Sequence, residues 1–582
     1  MKGNNLMVET LLKEKVDVLF GINGGAIIPF YDALYDYKDK VRNILVRHEQ
    51  GAAHAAEGYA RASGKVGTCV ATSGPGGCNL VTGIADALMD SVPIVAIGGQ
   101  VATHLIGNDA FQETDMMGIT NPITKQNFQI RKADDIPLVI RKAYKIAREG
   151  RPGPVYIDVP KDVQLTETDA KIPDTVDIPS YKPTLYPNPM QLKRAVKLML
   201  EAERPLILAG GGTIISGASK ELLEFVETLV APVSSTTMAK GTFPEDHPLS
   251  LHVTGMHGTE AANYAIINTD VLIAVGCRFS DRITGDTKSF QEGKKVIHID
   301  VDPAEIGKNV KVEVPIVGDA KIALKELTKT LIAEGFKDKN KFSAWRKKLK
   351  EIMELAEAAE DKAIAKEGLT AKFCCKELSK FIKTDAIITT GVGQHQMFGE
   401  HFIMRKNPRT WITSGGAGTM GFGLPAAMGA KVAKPDVEVY DLDGDGSFQM
   451  TAQELATLKE EKIKVVPIII NNNYLGMVRQ WLELFQKRRY SGVGYTANPS
   501  FQKMAEAFHL NGITVTKKSE FADALKQARK NDETTVIDVK VEEEENILPM
   551  LPPASKLKEI IGGSVVFRQN WDDVLASRKL NS

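Results

Sequence analysis

Short apolar, β-branched runs recur along the chain, each separated from the next by a stretch long enough for a helix. They are VDVLFGI, VGTCVAT, VPIVAIGG and PVYIDV near the N-terminus, then PLILAGGG, DVLIAVG and KVIHIDV, then DAIITTG, VEVYDLDGDG and VVPIIINNN. Strands buried on both faces read as unbroken apolar runs, and parallel neighbours need a crossover of helix length. The alternation therefore implies an α/β protein of doubly wound parallel sheets covered by helices. A chain of 582 residues is too long for one such core. Two interruptions divide it: a proline-rich polar stretch at 166–189, which reads as a linker, and a charged stretch at 336–366, which reads as a helix bridging domains. The expected domains are 1–165, 190–335 and 367–545, followed by a tail over 546–582.

Charge excludes several partners. Lysine plus arginine and aspartate plus glutamate both total 73, so no net field draws the chain to nucleic acid or an anionic membrane. No apolar segment reaches the roughly 18–20 residues that span a bilayer. Charges interrupt the first apolar run, unlike a signal peptide. The five cysteines form no CxxC pair and fit neither a disulfide framework nor a zinc site. The expectation is a soluble enzyme of a reducing compartment, the cytoplasm.

In open parallel sheets, ligands bind just beyond the carboxyl ends of the strands. Polar and glycine-rich residues gather there: Arg47-His48-Glu49, Ser73-Gly74-Pro75-Gly76-Gly77, Asp443-Gly444-Asp445-Gly446 and Asn471-Asn472-Asn473. Asp445 ends one strand, and Asn472 ends the next after an intervening helix. Neighbouring strands would bring a carboxylate and an amide oxygen to one edge, which suits a hard cation such as magnesium. Gly444 and Gly446 let the backbone approach a ligand, and the following helix offers its N-terminus to an anion. GDG alone is commonly a tight turn, and the asparagines one strand later make it specific. Glu49 stands between an apolar run and a segment of alanine and glycine, where a carboxylate needs a partner or offsets a helix dipole.

GDG followed by NN resembles the signature of thiamine diphosphate enzymes, and VRHEQGAAHAAEGYARASG is similar to their pyrimidine-binding segment. The resemblance implies pyrimidine and diphosphate domains flanking a Rossmann-like middle domain. Asp445, Asn472 and the main-chain carbonyl of Tyr474 would bind Mg2+, which holds the diphosphate. Gln394 and His395 of GVGQHQM would meet phosphate oxygens. Gly418, Gly446, Ser447, Gly476 and Met477 would line the cofactor, with Met420 of SGGAGTMGFGLPAAMGA wedged between its rings. Glu49 takes the acidic position that activates the cofactor, its carboxyl bonded to the pyrimidine. The alanines and glycines after it would leave room for that flat ring, and Glu57 reads as structural. In this class the pyrimidine domain of one subunit faces the diphosphate domain of another.

Longer stretches narrow the family. GINGGAIIPFYDAL, GNDAFQETDMMGIT, RPGPVYIDVPKDV, GMHG, RFSDRITG, HIDVDPAEIGKN and LGMVRQWLELFQKRRYS resemble the catalytic subunit of acetohydroxyacid synthase, also called acetolactate synthase. The match covers residues 5–563. It implies decarboxylation of pyruvate and transfer of the two-carbon unit to a second 2-oxoacid. Pyruvate as acceptor gives 2-acetolactate, and 2-oxobutyrate gives 2-aceto-2-hydroxybutyrate, toward valine, leucine and isoleucine. Gly25, Phe111, Gln112 and Lys161 would line the reaction side, with Gln112 and Lys161 as polar contacts. Met477, Val478, Trp481 and Phe485 would form the substrate wall, with Trp481 selecting the acceptor. Arg151, Gly211, Met256, His257, Gly276, Arg278, Asp300 and Asp319 would hold FAD, which is structural because carboligation has no net redox step. A homodimer or homotetramer with a separate regulatory small subunit is implied. Ala102 in GQVATHLIG stands where the family pattern has proline, which questions the rigidity of that loop. The rivals are a pyruvate oxidase-type flavin oxidoreductase and a flavin-free catabolic acetolactate synthase. Glyoxylate carboligase is disfavoured because that relative lacks the glutamate.

Overall fold

The unbroken apolar runs become strands with both faces covered: every residue of Gly67–Ala71, Ile94–Gln100, Val439–Gly444 and Val466–Asn471 is buried. The computed structural model describes residues 1–579. Its three sheets have six strands each, and every strand pairing is parallel.

Across the first sheet the strands run Arg42–Leu45, Val18–Gly21, Gly67–Ala71, Ile94–Gln100, Val155–Pro160 and Gln126–Gln129. The third sheet repeats that permutation with Trp411–Thr413, Ile387–Thr390, Val439–Gly444, Val466–Asn471, Thr535–Lys540 and Asn511–Val515. The middle sheet differs, running Val314–Val317, Lys295–Asp300, Val271–Val275, Pro205–Ala209, Val233–Ser235 and Ser250–Val253. Counted within the domain, that is the 3-2-1-4-5-6 order of dinucleotide-binding sheets, and its direction reverses between Pro205–Ala209 and Val271–Val275. Crossovers leaving in opposite directions open a crevice there.

The first and third domains pack through two helices rich in small residues, Glu49–Ser63 and Gly423–Ala433. Their backbones nearly touch. A Cβ on Gly58 would lie 2.1 Å from the Ala426 carbonyl oxygen, and one on Gly429 would lie 1.9 Å from that of Ala55. Ala52, Ala53, Ala55 and Ala56 join Phe422, Leu424, Ala426 and Met428 in one core. This corrects a sequence expectation. The alanines after Glu49 do not make space for a ring; they let two helices cross. Charge reinforces the contact, because Glu454 Oε1 accepts from the main-chain N–H groups of Arg47 at 3.0 Å and His48 at 3.1 Å.

The bridging helix runs Ser343–Lys366, starting later than the 336–366 stretch, because the Phe336 and Phe342 rings stack in a turn before it. It is not a free spacer: Trp345 is buried and its Nε1 donates to the Pro205 carbonyl oxygen at 3.1 Å. The tail folds back, with Glu260 accepting from the N–H groups of Ser564, Val565 and Val566. Ala102 holds φ −57°, within the range proline imposes, and Thr103 is fastened to Asp162 through its N–H at 2.9 Å. The loop keeps a proline-like path without the ring. Among the described residues no helix is long and apolar enough to cross a membrane.

The crossing generates a stability test. Gly429→Val must push the helices apart, so it should destabilise the first and third domains by about 1–3 kcal/mol or more. A lowered midpoint in thermal unfolding checks this, with Gly25→Ala, where a Cβ meets open space, as the control for a glycine lost elsewhere.

Candidate active site and cofactor cavities

The switch point of the third sheet lies between Ile387–Thr390 and Val439–Gly444, and the residues just past these strands form one cluster. Gln394 and His395 begin the helix Gln394–Phe402, Asp445 begins a short helical turn, and Asn472 follows the neighbouring strand. Burial pushes the Asp445 carboxyl up to about 6. Its Oδ2 accepts from Asn498 Nδ2 at 2.6 Å, and the same amide also reaches Asn473 Oδ1 at 3.1 Å. Asn472 Oδ1 accepts from the Tyr474 N–H at 3.1 Å, which turns the chain so that this amide and the Tyr474 main chain stay together.

Side-chain hydrogen bonds separate the groups that face the cavity from those that brace it. Gln394 Nε2 donates to Gln480 Oε1 at 2.6 Å and to the Glu545 carbonyl oxygen at 2.9 Å, while its Oε1 faces Asn472 Nδ2 at 3.5 Å. That corrects its expected role, since its donors are committed inside the protein and it orients Asn472 instead. The Ser447 hydroxyl accepts from the Gly421 N–H at 3.0 Å and bonds Asp443, so it too braces the floor. His395 is different. Burial lowers its pKa to about 3, leaving it neutral, and its buried Nε2 makes no hydrogen bond, with Asp443 Oδ1 3.6 Å away. Gly476 is a cradle that a side chain would fill, with a Cβ there 2.2 Å from Gln394 Oε1. An orphaned imidazole nitrogen, close-approaching backbone and an oxygen donor set suit a diphosphate bridged to a hard cation.

A second, larger cavity of about 1220 Å3 opens at the switch point of the middle sheet. Arg151, Gly211, Met256, His257, Gly276, Arg278, Asp300 and Asp319 all line it. Asp300 ends its strand with its carboxyl pushed up to about 6 by burial, and it accepts from the Asp302 N–H at 2.9 Å. Arg151 crosses from the first domain to Glu305 at 2.7 Å. Asp319 caps the helix Ala320–Ala333. Ordinary ligand pockets hold about 300–1,000 Å3, so this one has room for a dinucleotide. Gly418, Met420, Met477, Val478 and Trp481 also line it, and Met420, Met477 and Val478 line the smaller cavity too. The two cavities meet at these residues. Trp481 stacks on Phe485 with centroids 5.3 Å apart.

The remaining candidates lie on the carboxyl edge of the first sheet. Glu49 is 8% exposed, and its Oε2 accepts from Asn79 Nδ2 at 2.9 Å. Gly25 has open space around it, Phe111 is 88% exposed, Lys161 is exposed and Gln112 holds φ +60°. None of these five lines either cavity. Within one chain the Glu49 group and the Asp445 group are two separate half-sites.

Several participants carried no usable sequence signal. Asn498 sits in YTANPS, where an Asn-Pro pair reads as a turn. Asp441 and Asp443 are fully buried beneath the site, Asp443 pushed up to about 7 by burial and Asp441 raised by burial and by Asp443. Glu400 is 1% exposed and meets His257 Nε2 at 2.6 Å in the larger cavity. A carboxylate inside a strand or helix pattern announces neither burial nor partner.

Comparison with known proteins finds matches to three family models and to several relatives. Family models for the N-terminal, central and C-terminal domains of thiamine pyrophosphate enzymes match residues 1–119, 192–327 and 391–539. A Methanocaldococcus jannaschii protein named "Probable acetolactate synthase large subunit" is 52% identical over 569 residues, covering 96% of this chain and 95% of that protein. The acetolactate synthase large subunit of Corynebacterium glutamicum is 47% identical over 565 residues, 96% of this chain and 90% of its own. Acetolactate synthase 2, chloroplastic, of Nicotiana tabacum is 45% identical over 569 residues, 96% and 85%.

Two outcomes follow for the Asp445 cluster. Asn498→Ala removes the group that aims the carboxylate, so half-saturation by Mg2+ at fixed thiamine diphosphate should rise about 10–100-fold with the melting temperature little changed. A cation competes with the proton on Asp445, whose pKa is near 6. Mg2+ affinity should therefore be flat above that pH and fall about tenfold per unit below it, as a pH series of Mg2+ titrations would show.

Proposed function

The chain belongs to the acetolactate synthase large-subunit family of thiamine pyrophosphate enzymes, and from that premise we propose the catalysis and the roles of its residues. It decarboxylates pyruvate and joins the two-carbon unit to a second pyruvate or to 2-oxobutyrate, the carboligation that leads to branched-chain amino acids. Thiamine diphosphate supplies the carbon nucleophile and the electron sink that make loss of carbon dioxide feasible.

The protein's part is to bind, aim and move protons. Asp445, Asn472 and the Tyr474 carbonyl hold Mg2+, and His395 with the glycine-rich backbone meets the diphosphate. Met420, at the junction of the two cavities, would pack against the cofactor. Glu49 would bring its carboxyl against the pyrimidine. Asn79 orients that carboxyl, and its burial strengthens the hydrogen bond it makes. Gln112 and Lys161 contact the 2-oxoacid carboxylate. Trp481, braced by Phe485, shapes the acceptor pocket. FAD occupies the larger cavity in a structural role, supported by the dinucleotide-type strand order and the eight residues around it.

One observation carries the reading: the Glu49 half-site and the Asp445 half-site are each built at a sheet edge, yet neither cavity is lined by both. A second copy of the chain supplies the missing half, so the working unit is a homodimer or a homotetramer. A separate regulatory small subunit and a cytoplasmic location complete the proposal.

Incubation with pyruvate and 2-oxobutyrate, with and without added FAD, should yield both acetohydroxyacids with little oxygen uptake. Stoichiometric oxygen or quinone consumption would instead identify the oxidase-type chemistry. Glu49→Gln should keep the fold and slow exchange of the cofactor C2 hydrogen for deuterium by about 10^2–10^4-fold. Exchange at the unaltered rate would remove Glu49 from the mechanism.

A further inference from the structure

Four ionisable side chains of the first domain lie buried outside both half-sites. Helix Glu49–Ser63 contributes His54 and Glu57, and helix Val81–Asp90 contributes Asp86 and Asp90, one turn apart. All are buried; Arg61 makes an ion-pair contact with Asp90 at 3.6 Å, while Arg61 also acts on Glu57 and Arg278 on Asp90. Ordinary core packing has no use for three carboxyl groups so placed.

Their contacts lead to one place. Asp86 Oδ1 accepts from Ser414 Oγ at 2.6 Å and from Thr419 Oγ1 at 3.3 Å. Asp90 Oδ2 accepts from the Gly415 N–H at 2.9 Å. Ser414 Oγ in turn accepts from the Thr419 N–H at 2.8 Å. The two aspartates thus grip both ends of the glycine-rich segment whose next residue is Met420. Its middle turns at Gly418, with φ +69°, which gives it little stiffness of its own.

With His54 neutral, Gln50 Nε2 donates to its Nε2 at 3.4 Å and its Nδ1–H donates to Glu57 Oε1 at 3.0 Å. His54, Glu57 and Asp86 each have a ligand atom within 4.8 Å of the others, and Glu57 Oε2 and Asp86 Oδ2 are buried with no hydrogen-bond partner. Two buried carboxyl groups this close do not both ionise, so the pair holds a proton. Burial pushes both Glu57 and Asp86 well above the usual carboxyl range and lowers His54 to about 4.

We propose that Asp86 and Asp90 are positioning residues for the carboligation: through Ser414, Gly415 and Thr419 they set Met420 against the cofactor, and Glu57 shares a proton with Asp86. The proposal rests on the reading that Met420 meets thiamine diphosphate. A loop displaced by an ångström changes both cofactor fit and rate, whereas a contact that is only structural changes stability alone.

The test measures kcat and the thiamine diphosphate concentration for half-maximal activation of the full-length enzyme with Mg2+ and FAD. Met420→Ala and Asp86→Ala should each shift these constants about 10–100-fold in the adverse direction. Because both act on one element, the double variant should be no worse than the poorer single one. Glu57→Gln, whose amide still donates to Asp86, should stay within about threefold of the parent, and Glu57→Leu should resemble Asp86→Ala. Should Asp86→Ala not fold, Ser414→Ala breaks the same contact from the other side, and it is expected to give the same shifts. Constants that multiply in the double variant, or an Asp86→Ala that lowers only the melting temperature, overturn the proposal while Met420 keeps its role. An unaffected Met420→Ala overturns the cofactor-site reading and this proposal together.

Discussion

The near-contact of two helix backbones, Glu49–Ser63 on Gly423–Ala433, governs how everything else is used. At Gly58 and Gly429 no side chain fits, so the helices approach until backbone meets backbone, and flanking alanines fill the seam. Such packing has one solution, because close-packed interiors do not deform continuously. It locks the first sheet to the third at a fixed angle. The Glu49 group and the Asp445 group then line no common cavity within one chain. On the proposed reading, self-association completes the catalytic site, and the glycines of one interface dictate the geometry of another.

The third domain places its charges where they are expensive. Asp441 and Asp443 alternate with apolar residues along the strand Val439–Gly444, Asp445 opens the helical turn after it, and all three are buried. Burial raises each carboxyl, so each folded pKa exceeds its unfolded value and folding loses stability as pH rises through that interval. A fold under selection for stability alone would not keep them. Thr389 and the Gly444 N–H accommodate part of this charge, with contacts of 3.2 Å and 2.9 Å to Asp441 and Asp443. A cation at Asp445 would offset more, which couples cofactor loading to the stability of the domain that binds it.

How much of this was legible in the sequence depended on whether a residue's role was periodic or relational. The parallel sheets follow from apolar runs alternating with helix-length segments, and the half-sites follow from polar residues placed just after those runs. Asp445 and Asn472 were readable because two adjacent strands end in oxygen donors. The alanines after Glu49 were misread because small residues leave room for a ligand ring and for another helix equally well. Gln394 carried the right chemistry for a phosphate contact, yet Gln480 and the Glu545 carbonyl occupy its donors from positions 86 and 151 residues away. Asn498, Asp86 and Glu400 act only through partners that the chain brings together over long separations. Local pattern cannot report such contacts.

The junction of the two cavities gives a physical reason why a flavin without a redox role would still matter. Val392, Gly393, Met420, Met477 and Val478 line both spaces. The helix Gln394–Phe402 links them as well: Gln394 braces Asn472 at its start, and Glu400 near its end holds His257 of the middle domain. A ligand filling the larger cavity, which Asp90 also lines, restricts Met420 and the helix, while Asp86 and Asp90 hold the same segment by hydrogen bonds. Groups held from both sides lose little further freedom when the cofactor binds, so less binding free energy is consumed in ordering them. On the proposed reading, positioning rather than electron transfer is what a flavin in the larger cavity contributes.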